Sequence, residues 1–121
     1  MVDQKEDGPR KIPLRFYSAP SGAEPVLEWL KELPANDRKE IGRDLMRAQW
    51  RWPVGMPLCR PMGGGLWEVR SSLSSGRIAR VLFCVEDNEL VALHGFIKKT
   101  QKTPAADSEL AKKRMKEVKA S

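Results

Sequence analysis

Charged and aromatic side chains recur at alternate positions along three neighbouring segments of the chain, and their chemical types suit the binding of an anion. Arg70 ends the first segment, Arg80 lies within the second, and the third alternates His94, Phe96 and Lys98. Successive side chains of a β-strand point to opposite faces, so residues of one parity share a face. We therefore expect these five side chains on one cationic face of a sheet, with an anionic ligand lying on it.

The elements that must position these side chains are three strands of a meander, predicted at 66–71, 77–85 and 89–98. Turn-forming residues, Ser-Ser-Gly at 74–76 and Glu-Asp-Asn at 86–88, separate the strands. Glu68 shares the parity of the cationic face. The opposite face collects apolar residues, and we expect it to pack on the core: Trp67, Val69, Ala79, Val81, Phe83, Val85, Val91, Leu93 and Ile97.

The first half of the chain predicts a strand at 12–18 and then two helices. Ser21 and Glu24 form a capping box at the start of a helix that ends at Pro34, and Asn36 is a suitable cap for the next helix. Both helices carry an apolar stripe, which predicts a helical hairpin packed on the sheet. The stripes are Val26, Trp29, Leu30 and Leu33, then Ile41, Leu45, Ala48 and Trp52.

Residues 53–65 contain three prolines and four glycines, which predicts an irregular loop. Its glycine triplet could cradle phosphate, but a flexible connector is the favoured interpretation. The last helix is predicted to have Thr103 as its cap and Pro104 at its first position, with acidic residues early and basic residues late, as the helix dipole favours. The sequence thus predicts a flexible arm at 1–11 and one α+β domain at 12–121: an N-terminal strand, an αα-hairpin, an antiparallel meander and a C-terminal helix.

The composition favours a soluble protein that binds a polyanionic partner. Among 121 residues, 22 Lys and Arg against 16 Asp and Glu give a net charge of +6, although ordinary soluble proteins also show such a surplus. Cys59 and Cys84 have neither CxxC spacing nor a histidine cluster around them, so we expect reduced thiols and neither a metal nor a cofactor. The chain has no apolar run of membrane-spanning length and no signal peptide, so we expect a cytoplasmic protein with no membrane partner.

The segments LWEVR, RVLF and LHGFIKKTQKTP resemble the RelE/ParE superfamily of bacterial toxins, and most closely its phage-derived HigB-like branch. The resemblance extends from residue 14 into the last helix, and residues 93–104 are its most specific part. It implies a RelE-like α+β fold with the element order given above. It also implies a partner antitoxin, expected to carry a helix-turn-helix DNA-binding domain.

The resemblance implies two activities, and a third class of function stays open beside them. The first is a ribosome-dependent, metal-independent mRNA endoribonuclease that arrests translation and growth, with the ribosome and mRNA as partners. The second is a ParE-like inhibitor of DNA gyrase. The third is a non-catalytic RNA-binding protein of phage origin. We expect the endoribonuclease.

The resemblance places catalysis on Arg70 and Arg80 and on Lys98 and Lys99 at the end of the last strand. RNA cleavage by the adjacent 2′-hydroxyl needs a base, cations for the phosphorane and an acid for the leaving 5′-oxygen. Arginines suit the second role, and we expect Arg80 to be exposed, so that its removal leaves the fold intact. The alternative for each arginine is an ion pair, Arg70 with Glu68 or Glu86.

The general base is left open by the sequence. His94 is the only histidine, and both a catalytic and a structural role fit it. Ala79 stands where many relatives have an aromatic residue, and no tyrosine follows Tyr17, so a tyrosine base near the C-terminus is absent. Phe96 could stack on a base of RNA, as an alternative to packing. Further RNA contacts are expected from basic residues near the C-terminus: Lys102, Lys112, Lys113 and Arg114.

Overall fold

The computed structural model describes residues 10–98 and 102–121. Residues 1–9 of the predicted arm therefore lie outside the described residues. The described residues form, in chain order, β1 (Leu14–Phe16), α1 (Pro25–Glu32), α2 (Ala35–Arg51), β2 (Cys59–Gly63), β3 (Leu66–Ser72), β4 (Ile78–Glu86), β5 (Glu89–Lys98) and α3 (Ala105–Ala120). The α+β class and the C-terminal helix are confirmed.

The strands form one five-stranded sheet in the order β1-β5-β4-β3-β2. β1 lies parallel to β5 at one edge, and all other neighbours are antiparallel. The predicted meander is confirmed to within a residue at each strand end. Asp87 and Asn88 link β4 to β5 with φ values of 52° and 61°, the left-handed conformations that a tight two-residue hairpin requires.

Helices cover both faces of the sheet. The predicted stripes of α1 and α2 pack on one face, so the helical hairpin is confirmed. Its core includes Val26, Leu30, Ile41, Leu45, Ala48, Val69, Ala79, Val81, Phe83 and Ala92, with Ile97 half-buried beside them. α3 packs on the other face, over a second core: Tyr17, Leu66, Leu82, Cys84, Val91, Leu93, Phe96, Ala111, Met115 and Val118.

A β-bulge explains why the parity argument is wrong for part of β5. This strand pairs with β4 residue by residue from Lys98 back to His94, and the pairing resumes at Ala92, so that Leu93 is an extra residue. An extra residue reverses the alternation, and Val91 and Leu93 consequently face α3 rather than the helical hairpin. The face predicted to be cationic is therefore apolar beneath α3 and polar only near the first turn of that helix.

β2 corrects the prediction of an irregular loop at 53–65. It is an edge strand that pairs only with β3, and Met62 lies in an irregularity of the pairing between Pro61 and Gly63. A proline is tolerated at an edge because the outer side of the strand needs no hydrogen bond. Gly64 and Gly65, with φ values of 65° and 91°, form the two-residue turn into β3.

None of the three helices begins where the capping signals predict, because a proline stands at each start. α1 and α3 begin later than predicted, and α2 begins earlier. α1 begins at Pro25, so Ser21 does not cap it. α2 follows Pro34 directly, which puts Asn36 inside its first turn, and α3 follows Pro104. Proline has a fixed φ that suits a helix start, and no side-chain cap is present at any of the three. Among the described residues, no helix is long and apolar enough to cross a membrane.

Candidate functional site

The polar end of the sheet lies where β3, β4 and β5 pass the first turn of α3, and it carries two adjoining groups of side chains. We call the first the glutamate cluster, which consists of Glu68, Arg60, Arg80 and Thr103. We call the second the histidine dyad, which consists of His94 and Asp107. Phe96 lies between them, with its ring centroid 6.0 Å from Cζ of Arg80 and 5.6 Å from the His94 ring.

The glutamate cluster is organised around a carboxylate that is fully buried. Oε2 of Glu68 accepts a short hydrogen bond from the Thr103 hydroxyl and lies 3.6 Å from Nε of Arg80. Oε1 of Glu68 lies 3.4 Å from Nε of Arg60, whose Nη2 also donates to Thr103 at 3.3 Å. The cluster thus connects β2, β3 and β4 to Thr103, two residues before the start of α3.

The prediction that Arg80 is an exposed clamp is wrong, because its side chain is fully buried. The alternation along β4 predicts an open face for Arg80, whereas the folded chain buries it beside Phe96. Burial lowers the pKa of Arg80, the nearby Glu68 raises it, and the charges of Arg70 and Arg60 lower it further. Two arginines, Arg60 and Arg80, therefore lie against one carboxylate, and the cluster carries a surplus of positive charge.

Arg70 lies directly across the β3–β4 ladder from Arg80 and is half-buried. It also lines a cavity of about 540 Å³ between α2 and residues 54–58, with Arg47 and Arg51 from α2 on the same wall. Because Arg70 keeps part of its surface open on the polar end of the sheet, it is better placed than Arg80 to touch a ligand. The ion-pair alternative for Arg70, with Glu68 or Glu86, stays a prediction.

The histidine dyad joins β5 to the first turn of α3. Nε2 of His94 lies 2.6 Å from Oδ1 of Asp107. An ionised carboxylate only accepts hydrogen bonds, so Nε2 carries the proton and Nδ1 of a neutral ring is left as the basic nitrogen. Within the described part of the chain, no hydrogen bond reaches Nδ1. This arrangement fixes the ring and its tautomer, as general-base histidines require.

Lys98 and Phe96 support the dyad from the same strand. Nζ of Lys98 lies 3.5 Å from Oδ2 of Asp107 and 5.9 Å from the Phe96 centroid, and nearly half of its side chain is exposed. Phe96 is 7% exposed and stacks beneath His94. Its ring therefore holds the histidine from below and leaves little surface on which a base of RNA could stack.

The predicted RNA contacts near the C-terminus divide into two groups. Nη1 of Arg114 donates to the Leu93 carbonyl at 2.8 Å, and its guanidinium stacks 5.0 Å above the Tyr17 ring, so Arg114 fastens α3 to the bulge. Lys112 and Lys113 instead point outward and line a separate groove. Lys102 is exposed near the start of α3, and Lys99 lies outside the described residues.

Sequence reasoning missed three residues of the site. Arg60 was assigned to a loop, although it pairs with Glu68 across β2 and β3. Thr103 was interpreted as a helix cap, and Asp107 as an acid that suits the helix dipole. No local spacing signals their contacts, because His94 and Asp107 lie 13 positions apart in the sequence. Among the described residues, no three His, Cys, Asp or Glu side chains are grouped as a metal site.

The fold and the site together define a small α+β domain whose five-stranded sheet carries the histidine dyad beside the glutamate cluster. A family model described as phage derived protein Gp49-like (DUF891) matches residues 28–116. The chain therefore belongs to the Gp49-like family of phage-derived proteins, which is associated with RelE-like toxins. No curated protein matches the chain.

Proposed function

We propose that this chain is the toxin of a toxin–antitoxin pair and that it cleaves mRNA on the ribosome without a metal ion. The observation that carries this proposal is the hydrogen bond between His94 and Asp107, which lies next to a surplus of arginine charge. The association of the Gp49-like family with RelE-like toxins supports the class of protein. The HigB-like branch of that superfamily stays a prediction.

In the proposed reaction, Nδ1 of His94 removes the proton from the 2′-hydroxyl of the nucleotide that precedes the cut. The 2′-oxygen then attacks the adjacent phosphorus, and the bond from phosphorus to the 5′-oxygen breaks. Asp107 holds the ring and stabilises the imidazolium that forms, because its carboxylate lies against Nε2. The products carry a 2′,3′-cyclic phosphate and a 5′-hydroxyl.

Cations of the site stabilise the charge that develops on the phosphorane. Arg70 and Arg60 are the arginines with open surface, whereas the buried Arg80 acts through its field and through the position it gives its neighbours. Lys98, which is exposed beside the dyad, donates a proton to the leaving 5′-oxygen. Lys99, at the end of the same segment, remains a second candidate for this role.

The test uses purified protein with programmed ribosomes, followed by primer extension and analysis of the fragment ends. We expect 5′-hydroxyl ends, and activity that persists in EDTA once the ribosome's own magnesium requirement is met. His94→Ala should lower the cleavage rate by about 10²–10⁴-fold, the usual contribution of a general acid or base. Asp107→Asn should lower the rate and change its pH dependence, whereas Glu32→Gln, a substitution at an exposed position of α1, should leave both unchanged.

Two results would overturn this assignment. The first is intact mRNA together with a loss of supercoiling by DNA gyrase, which would identify a ParE-like inhibitor. The second is full cleavage by a folded His94→Ala protein, which would remove the histidine from the mechanism. The proposed antitoxin, with its helix-turn-helix domain, is tested separately: co-expression of the adjacent reading frame should restore growth to cells that produce this chain.

A further inference from the structure

A groove lies between the β2–β3 turn and the outer face of α3, on the same side of the sheet as the histidine dyad. It encloses about 290 Å³, with Gly63 and Gly64 on one side and residues of α3 on the other: Glu109, Lys112, Lys113, Met115 and Lys116. None of the catalytic steps proposed above uses this groove. It is nevertheless the place where the glycine triplet and the lysine-rich helix, two features noted in the sequence, meet.

The glycine turn leaves the groove open and brings the backbone close to the lysines. A Cβ atom at Gly63 or Gly64 would meet nothing within 4 Å, so this wall borders open space. A Cβ atom at Gly65 would lie 3.3 Å from Nζ of Lys119, so an ammonium group lies against the bare turn. Backbone amides near a turn of positive φ are available as additional donors to an anion.

The charge of the groove is not neutralised by the acidic residues of α3. Glu109 lies 3.7 Å from Nζ of Lys112, and Glu117 accepts a hydrogen bond from the Tyr17 hydroxyl. In the described part of the chain, no carboxylate lies within ion-pair distance of Lys113 or Lys116. The helix dipole explains why lysines are favoured late in α3, but not why they face a glycine turn across an open groove.

We propose that this groove is a second anion site, which holds a backbone phosphate of the single-stranded RNA cleaved at the histidine dyad. Lys112 and Lys116 follow Asp107 by five and nine residues, which places them about 8–14 Å beyond it along the axis of α3, on the outer face of that helix. An RNA strand covers that distance within a few nucleotides. The groove would therefore anchor the strand beside the scissile bond through contacts that do not depend on base sequence. The inference takes its ligand from the proposed function.

The binding probe is a single-stranded RNA of about 12 nucleotides, fully 2′-O-methylated so that it cannot be cleaved. Fluorescence anisotropy over a salt series gives the affinity and its salt dependence for the wild type and for Lys113→Ala/Lys116→Ala. The matched control is Lys31→Ala/Lys39→Ala, which removes the same charge from exposed positions of α1 and α2. Both variants should keep the wild-type thermal unfolding midpoint, because all four lysines are exposed.

We expect the groove variant to bind about 10–100-fold more weakly at low salt and to lose about 0.7 units of salt slope for each phosphate contact removed. The control should lose much less of both. Equal losses in the two variants would overturn the inference, because they would reduce the effect to net charge. Equal binding of duplex DNA, with the same loss in the groove variant, would overturn the assignment to RNA.

The same experiment separates this inference from the proposed reaction. If cleavage requires His94 while the groove variant binds and cleaves like the control, the groove is not an RNA site and the endoribonuclease stands. If the groove variant alone loses RNA affinity but no preparation cleaves mRNA, the anion site stands and the endoribonuclease fails.

Discussion

Replacing Arg80 should destabilise the protein strongly, in contrast to the small effect expected of an exposed arginine. Arg80 and Glu68 are both fully buried, with Nε and Oε2 separated by 3.6 Å. At an effective dielectric constant of about 20, their attraction amounts to about 4.6 kcal/mol. Arg80→Met removes this attraction and leaves the carboxylate of Glu68 in the protein interior.

Arg60 and Thr103 should reduce the loss in the free energy of unfolding, because both still contact Glu68 in the variant. We therefore expect a loss of about 3 kcal/mol in the free energy of unfolding, at the low end for a broken buried pair. If the free energy of unfolding falls by about 2 kcal/mol for each molar of urea, the midpoint of unfolding should fall by about 1.5 M urea. The measurement is equilibrium urea unfolding followed by circular dichroism.

Two further variants test the reasoning behind this magnitude. Arg51→Met makes the same chemical change at an exposed position of α2 and should cost less than about 0.5 kcal/mol. Arg80→Met/Glu68→Leu removes both buried charges and should be more stable than Arg80→Met alone. If Arg80→Met unfolds at the same urea concentration as Arg51→Met, the buried pair does not stabilise the fold and the argument fails.

Three other predictions concern the framework around the site. Two hydrogen bonds from Arg77 lower the pKa of Asp37 below its usual 3.8. The stability that this pair supplies is therefore present above that pH and is lost as the pH falls through the pKa of Asp37 in the folded protein. In urea unfolding, Asp37→Asn should accordingly destabilise the protein clearly near neutral pH and less at about pH 3. Burial raises the pKa of Cys59 to about 11, so its thiol should react with an aromatic disulfide reagent only after unfolding, and rapid reaction of the native protein at about pH 8 would contradict this burial. Gly95→Ala should lower the free energy of unfolding by about 1–3 kcal/mol, because its Cβ would lie 2.3 Å from the Trp29 ring, and an unchanged melting temperature would show that the ring moves aside freely.

Local patterns predicted most of the architecture because they depend on periodicity. Alternation located β3, β4 and β5, and a spacing of three and four residues located the buried stripes of α1 and α2. β2 was not predicted because its composition is that of a loop, and only its place at the edge of the sheet makes Pro61 acceptable. The bulge at Leu93 was not predicted because nothing in the surrounding apolar run marks where the pairing skips a residue.

The site was predicted in its parts but not in its arrangement. Parity correctly grouped Arg70, Arg80 and His94 on one face, since His94 belongs to the part of β5 after the bulge, which pairs regularly with β4. The burial of Arg80 beside Phe96 and the contact of Asp107 with His94 each involve residues that lie well apart in the sequence. Both are consequences of tertiary packing, which the spacing of residues along one strand does not contain.

The bulge at Leu93 makes the length of β5 as important as its composition. Residues 89–92 and 94–98 alternate in opposite phase because Leu93 is the extra residue between them. Deleting Leu93 would turn this point into regular pairing and would cost one buried side chain, with Leu90 still facing the helical hairpin and His94 still facing α3. One residue inserted into the regular pairing between His94 and Lys98 would instead turn one of these two side chains to the opposite face. Related chains should therefore differ by the presence or absence of the bulged residue more readily than by the spacing from His94 to Lys98.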